Sequence, residues 1–253
     1  MPLESQLIPH RVSTILPCLP NGADLSMLCI VDAGGMYYCK SDRDGRNIRA
    51  SEWFSTHLAS HLGFATAPCS VIENEVGETF FGSLDQGSTA GVFEAKDFLT
   101  IPQKNELGQP SHWPGQYLAQ LLAFDMFLNN PDRSIQNFIL VSDGAQRRLC
   151  AIDFAAVRLA DLSGHQFPVA DSVTMTIGRA VRRTHGEFPG SMIEMVDRIA
   201  AIPLDTIRAL TSGMPDDWLS GHQREGLCEH WASATIRDRL STLRAGIEDG
   251  SLL

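Results

Sequence analysis

Leu128-Asn129-Asn130-Pro131-Asp132-Arg133-Ser134-Ile135-Gln136-Asn137-Phe138, answered further along the chain by Ala151-Ile152-Asp153, is the stretch on which the reading turns. It follows a segment, Gly115 to Leu128, whose apolar positions Leu118, Leu121, Leu122 and Met126 predict a buried helix starting after Pro114. Beyond it the apolar run Phe138 to Val141, the turn Ser142-Asp143-Gly144-Ala145 and a second run, Leu149 to Ile152, predict a hairpin centred near residue 145. That register sets Asn137 opposite Asp153 at the open end, about 4.5 to 5.5 Å apart at Cα. An amide and a carboxylate so placed, with Asp132 shortly before them, can chelate a hard cation. Magnesium takes oxygen ligands and fills its remaining positions with water and phosphate oxygens. Asp-x4-Asn, strand, turn, strand and terminal Asp is the layout of a phosphoryl-transfer site, with the base on Asp132 and the metal on Asn137 and Asp153.

Such a site also needs a cation for the α- and β-phosphates. The chain carries 20 Lys plus Arg, of which only Lys40, Lys96 and Lys104 are lysines. Lys40 alone closes a strand-like run, Met36-Tyr37-Tyr38-Cys39. Where arginine supplies nearly all other positive charge, a compact ammonium kept at this position suits a phosphate. Glu52, in the first turns of the helix expected next, can pair with Lys40 and orient it.

Working outward, Leu28 to Val31 and Met36 to Lys40 read as a hairpin about Asp32-Ala33-Gly34-Gly35. A helix follows from about Arg49 to Leu62, with Phe54, Leu58 and Leu62 on one stripe, Ser51 as its cap and Gly63 as its stop. A second hairpin reads Cys69 to Glu73 and Thr79 to Gly82. The stretch from Ser83 to Pro114 reads as a connection with some local structure. Beyond Asp153 helices are expected around Thr174 to Arg183, Ser191 to Ile199, Leu204 to Thr211, and in one long amphipathic stretch from about Gly226 to Ala245. The organisation is therefore α+β, a sheet-bearing first lobe (1–83) joined through 84–114 to a mostly helical second lobe (115–253). Ligands favour the cleft between two such lobes.

Composition bounds the function. Thirty Asp plus Glu give a formal net charge of −10, which argues against a nucleic-acid binder held by phosphate neutralisation. No apolar run is long enough to span a bilayer and no signal peptide is evident, so the chain reads as cytoplasmic. Six scattered cysteines without a CxxC pair read as buried thiols. His57 and His61 have a spacing that can bind zinc but lack a third ligand. Arg179, Arg182 and Arg183 form a basic cluster that reads as a solvated helix face.

The segment Leu128 to Phe138 with Ala151-Ile152-Asp153 resembles the HipA-like kinases, a bacterial branch of the protein-kinase-like fold that shares an Asp-Arg-x-x-x-Asn signature with the lipid kinases. Gly35-Met36-Tyr37-Tyr38-Cys39-Lys40 is similar to that family's lysine strand, and Ser51-Glu52 with Leu58-Ala59-Ser60-His61-Leu62-Gly63 to its next helix. Met214-Pro215-Asp216-Asp217-Trp218-Leu219 is similar to a motif near its C-terminus. The resemblance implies a two-lobed protein-kinase-like fold with a small antiparallel-sheet N-lobe holding one helix. It implies ATP and Mg2+ as cofactors, Asp132 as catalytic base, Asn137 and Asp153 as metal ligands, Lys40 as phosphate-binding lysine and Glu52 as its partner. Pro20-Asn21-Gly22-Ala23-Asp24 stands where the glycine-rich loop belongs, which assigns Gly22 and Ala23 to the nucleotide. Ser134 stands where the family often has His, and Phe154-Ala155-Ala156 follows the metal-binding Asp where a glycine is usual. The length matches a minimal kinase core. The expected activity is that of a Ser/Thr protein kinase with a protein substrate and a regulatory partner protein. Two alternatives stay open: a nucleotide-binding pseudokinase serving as an interaction module, and a small-molecule kinase. With no basic amphipathic helix in the sequence, no membrane is implied.

Overall fold

The computed structural model describes residues 8–17, 24–87, 89–90, 92–102, 104, 107–109, 111–143, 146–159 and 166–252. Gly22 and Ala23, the expected glycine-loop contacts, lie outside the described residues.

Strands β1 (His10–Leu16), β2 (Leu25–Val31) and β3 (Met36–Lys40) form a meander. The turn between β2 and β3 falls at the Gly-Gly pair, with φ of 84° at Gly34 and 98° at Gly35, a region where a Cβ is disfavoured. Met27, Cys29, Val31, Tyr37 and Cys39 alternate into the interior of the sheet. Because successive side chains of a strand point to opposite faces, Lys40 emerges on the face away from Cys39. β3 pairs with β5 (Thr79–Leu84), and β5 with β4 (Cys69–Glu73), all antiparallel. β4 then pairs in parallel with β1 through His10↔Ile72 and Arg11↔Glu73. The small antiparallel sheet expected here is therefore closed, through one parallel pairing, into a five-stranded barrel. Its interior is tight: a Cβ at Gly82 would lie 2.3 Å from Ile72 Cγ1.

Helix α1 (Ile48–His61) packs outside the barrel and is buried around most of its circumference. Ser51 does not cap it. Lying inside the first turn, its hydroxyl donates to Val157 O at 2.7 Å, and the Arg49 amide is satisfied instead by Asp42 Oδ1 at 2.9 Å. Trp53 and Phe54 meet Trp218 and Trp231 edge-on, which joins α1 to the C-terminal helices.

A helix, α2 (Val92–Thr100), occupies part of the stretch read as a connection. Helix α3 (Trp113–Phe127) has Pro114 in its first turn and is buried nearly all round. A second sheet of β6 (Thr89–Ala90), β7 (Phe138–Asp143) and β8 (Gln146–Ala151) follows, then α4 (Val173–His185), α5 (Pro189–Ala200), α6 (Leu204–Ser212), α7 (Gly221–Ala232) and α8 (Ala234–Glu248). The long stretch expected from Gly226 to Ala245 is thus two helices. Ser233 adopts extended dihedrals and its hydroxyl donates to His230 O at 2.6 Å, which ends α7 and starts α8. Arg239 of α8, fully buried, donates to Met126 O and Phe127 O at 2.9 and 2.8 Å. Met126 O also accepts from Asn129 N at 3.1 Å, and both carbonyls lie at the end of α3, so Arg239 fixes where the next loop begins.

Among the described residues five cysteines are free, with Cys29 and Cys39 Sγ 3.6 Å apart inside the barrel. Among the described residues no helix is long and apolar enough to cross a membrane.

Candidate active site

The loop from Asn129 to Asn137 is organised around a buried arginine. Arg133, 3% exposed, donates from Nε and Nη2 to both oxygens of the fully buried Asp125 at 2.8 and 3.0 Å. Its remaining nitrogen, Nη1, donates to Asn137 O at 3.2 Å and Ile152 O at 2.5 Å, and the guanidinium lies 4.5 Å from the centre of the Phe154 ring. One side chain therefore ties the start and end of the β7–β8 hairpin to α3. Burial works against its charge, and the Asp125 carboxylate outweighs it, so its pKa is raised. Asn130 Nδ2 also donates to Asp125 at 2.7 Å. Thr174, at the start of α4, closes the loop from the other side: its hydroxyl donates to Asn130 O at 2.6 Å and accepts from Arg133 N at 2.9 Å.

Within this frame Asp132 is exposed at the surface of the loop. The Asn137 amide donates to Asp132 O at 3.0 Å, and Asn137 Oδ1 accepts from the Ser134 hydroxyl. Ser134 also caps the single 3-10 turn Ile135–Asn137 by accepting from Gln136 N. In the position where the resembled family often has histidine, the serine thus orients the amide.

The hairpin register differs by one residue from the expected one. The ladder runs from Phe138↔Ala151 to Asp143↔Gln146, so Ile152 stands opposite Asn137, with its amide donating to Asn137 O at 3.0 Å. Asp153 lies two residues past the end of β8, where φ of 61° turns the chain sharply. That turn carries its carboxylate to Lys40.

Lys40 Nζ lies 2.7 Å from Asp153 Oδ1 and 2.5 Å from Glu52 Oε1. Glu52 is 2% exposed and Asp153 42%. Burial alone would lower the Lys40 pKa, but Glu52 and then Asp153 more than compensate and hold the ammonium charged. Burial likewise opposes ionisation of Asp153, and Lys40 wins, which lowers its pKa. Burial dominates at Glu52 and raises its pKa against the pull of Lys40. Although Asp132 is exposed, partial desolvation and then the charges of Asp153 and Asp24 raise its pKa.

Arg49 was not singled out in the sequence, yet it fixes the helix that carries Glu52. Its guanidinium donates to Asp42 Oδ2 at 2.9 Å, Thr79 O at 2.8 Å and Asp217 Oδ2 at 2.6 Å. Trp218 Nε1 donates to Thr79 Oγ1 at 2.8 Å. The segment Met214 to Leu219 is thereby joined to β5 and α1. Asp24 was missed as well: it pairs with Arg43 and Arg46 at 3.0 and 2.8 Å and contributes to the acidity around Asp132. Its place as the last residue of the glycine-loop segment was the available signal.

His57 stacks near Trp53 and lies 3.4 Å from Cys69 Sγ; burial lowers its pKa to about 4, so it is a neutral packing residue. Arg182 pairs with Glu187, and Arg179 reaches Thr176 of its own helix.

Among the described residues no three His, Cys, Asp or Glu side chains converge as a protein-only metal cage. The donor set suits a magnesium ion shared with phosphate. Asn137 Oδ1 uses one of its two lone pairs on Ser134, the Asp153 carboxylate is partly open, and Lys40 is, among the described residues, the cation paired directly with Glu52 and Asp153, with the Asp132 carboxylate nearby.

A family model described as HipA-like kinase matches residues 12–246. No curated protein matches the sequence. Among solved structures, the Helicobacter pylori proinflammatory kinase CtkA aligns with a TM-score of 0.57 at 12% identity, covering 92% of this chain and 96% of that one. At that identity the likeness is one of fold. HipA of Shewanella oneidensis MR-1, solved with HipB and operator DNA, aligns with a TM-score of 0.46 at 12% identity over 98% of this chain and 67% of that one.

Proposed function

The chain belongs to the HipA-like kinase family, and we propose that it is an ATP- and magnesium-dependent phosphotransferase of Ser/Thr protein kinase type. The observation that carries this reading is the Lys40 ammonium held at once by Glu52 and Asp153, residues brought together from a barrel strand, a helix and the end of a distant hairpin. Residues 1–83 would serve as N-lobe, 84–114 as connection and 115–253 as C-lobe.

Lys40 would bind the α- and β-phosphates, with Glu52 fixing its position. Asn137 and Asp153 would hold magnesium, which when bound neutralises charge on the β- and γ-phosphates. Asp132 would accept the proton of the acceptor hydroxyl as its oxygen bonds to the γ-phosphorus and the bond to the bridging oxygen breaks, leaving ADP with that electron pair. Arg133 touches no reacting atom; it sets the distance between the loop of Asp132 and the end of β8. Because such catalysis is mostly positioning and charge neutralisation, the arrangement contributes before any substrate arrives.

Transfer of label from γ-labelled ATP to the chain itself or to serine-bearing proteins, measured for wild type and Asp132→Ala, tests the reading. Transfer by wild type and its loss in the variant is expected; equal transfer by both would sink the assignment.

A further inference from the structure

A cavity of about 650 Å³ lies beside α1, lined by none of Lys40, Glu52, Asp132, Asn137 or Asp153. Its walls come from the segment before α1, from the residues just after Asp153 and from α7. That volume falls in the roughly 300 to 1,000 Å³ range of small-molecule sites. The lining divides by chemistry. Val157, Leu219 and Leu227 present apolar surface, and Arg46, Arg158 and His230 present cationic or polar groups. Arg46 shares its charge with Asp24 at 2.8 Å, and Asp44 at the rim is the one acidic side chain among the described lining residues. Two further observations point to an occupant. His230 Nε2 is buried beneath the cavity surface with no hydrogen-bond partner among the described residues, a costly state that a turn of its ring towards an occupant would relieve. Gly226, inside α7, lines the cavity at ordinary helical φ, and a Cβ there would meet no atom within 4 Å. Glycine in a helix interior is less stable than alanine by roughly 0.5 to 1 kcal/mol, and neither backbone conformation nor packing demands it here. What it preserves is space in the cavity.

We propose that this cavity is a second ligand site, taking a small molecule with one anionic group on an apolar body, and that its occupancy steadies the helix carrying Glu52. The coupling runs through Ser51. That residue lines the cavity, immediately precedes Glu52, and donates at 2.7 Å to Val157 O on the segment that follows Asp153. A ligand against Ser51 and Val157 therefore favours the state in which Lys40 is held from both sides. The coupling, though not the site, rests on the nucleotide reading of the Lys40 centre.

The test uses 8-anilinonaphthalene-1-sulfonate, an apolar ring system bearing one sulfonate, and follows its fluorescence on the full chain. One saturable site is expected, competed by phenyl phosphate and not displaced by ADP with magnesium. Gly226→Phe should weaken binding at least tenfold and Gly226→Leu at least threefold, each with melting temperature at or above wild type; Gly226→Ala should weaken it by a smaller factor than either. The leucine variant decides the matter if the phenylalanine variant does not fold. The bound dye should tighten ADP at least threefold, and ADP should tighten the dye by the same factor. No saturable binding, equal affinity in the filled variants or displacement by ADP would overturn the site. Unchanged ADP affinity would overturn the coupling. If ADP does not bind at all while the dye behaves as expected, the kinase reading fails and the second site stands.

Discussion

Replacing Arg133 by methionine removes the group that joins the Asn129 to Asn137 loop, the hairpin and α3, and its cost can be worked from the contacts. Asp125, fully buried, would lose both of its guanidinium bonds and keep only Asn130 Nδ2. Breaking one side of a buried ion pair costs about 3–5 kcal/mol. The carbonyl of Ile152 would also lose its donor, at about 1–3 kcal/mol where it stays buried, while Asn137 O keeps the Ile152 amide. Because methionine fills much of the volume and water can reach the partly open end, the low side of the combined range, about 4 kcal/mol, is expected. With a urea slope of about 3 kcal/mol/M, the unfolding midpoint should fall by roughly 1.3 M. Asp125→Leu alone should be comparably damaging, since it strands the arginine. The double variant should be better than the additive sum by about 2 kcal/mol or more, because an apolar pair leaves no uncompensated charge. Additive losses, or an Arg133→Met variant within about 0.5 kcal/mol of wild type, would refute the view that this pair holds the loop.

Two other perturbations read neighbouring parts of the structure. Lys40→Met leaves Glu52, already raised by burial, without its cation. A carboxyl whose folded pKa exceeds its unfolded value stabilises below the unfolded value and loses that contribution as pH rises through the folded one, so the variant should gain melting temperature more steeply than wild type between about pH 8 and pH 5. Parallel pH curves for the two proteins would contradict this electrostatic account. Ser55 Oγ is buried with no partner among the described residues, so Ser55→Ala should be neutral or stabilising by about 0.5–1 kcal/mol in chemical denaturation, and a destabilisation of that size would show that the hydroxyl is hydrogen-bonded in solution.

Local signals were legible where one residue type dictates the backbone. The Gly34-Gly35 turn, the stop at Gly63 and the start at Pro114 follow from φ restrictions that neighbours cannot override. The Lys40 to Asp153 contact was approached from two local patterns, a strand end and a hairpin end. The one-residue register error at Asn137 arose because spacing alone does not say that Asp153 has left the strand in a left-handed conformation. Closure of the barrel was not readable, since the β1–β4 pairing joins His10 to Ile72 and leaves no periodicity behind. Arg133 and Arg239 look like ordinary surface charges in sequence, and only the packing reveals that both are buried clamps on carbonyl groups. The break at Ser233 was hidden because the apolar spacing through Leu227, Trp231, Ile236 and Leu240 continues across it.

The central claim is that Lys40, Glu52, Asn137 and Asp153 form one phosphate and metal centre. A crystal structure with a non-hydrolysable ATP analogue and manganese in place of magnesium tests it most directly, because the anomalous signal locates the metal independently. The account predicts a metal bridging Asn137 Oδ1 and the Asp153 carboxylate, with Lys40 turned to the α- and β-phosphates and Glu52 still bound to it. Nucleotide seated elsewhere, or a metal that touches neither Asn137 nor Asp153, would contradict it.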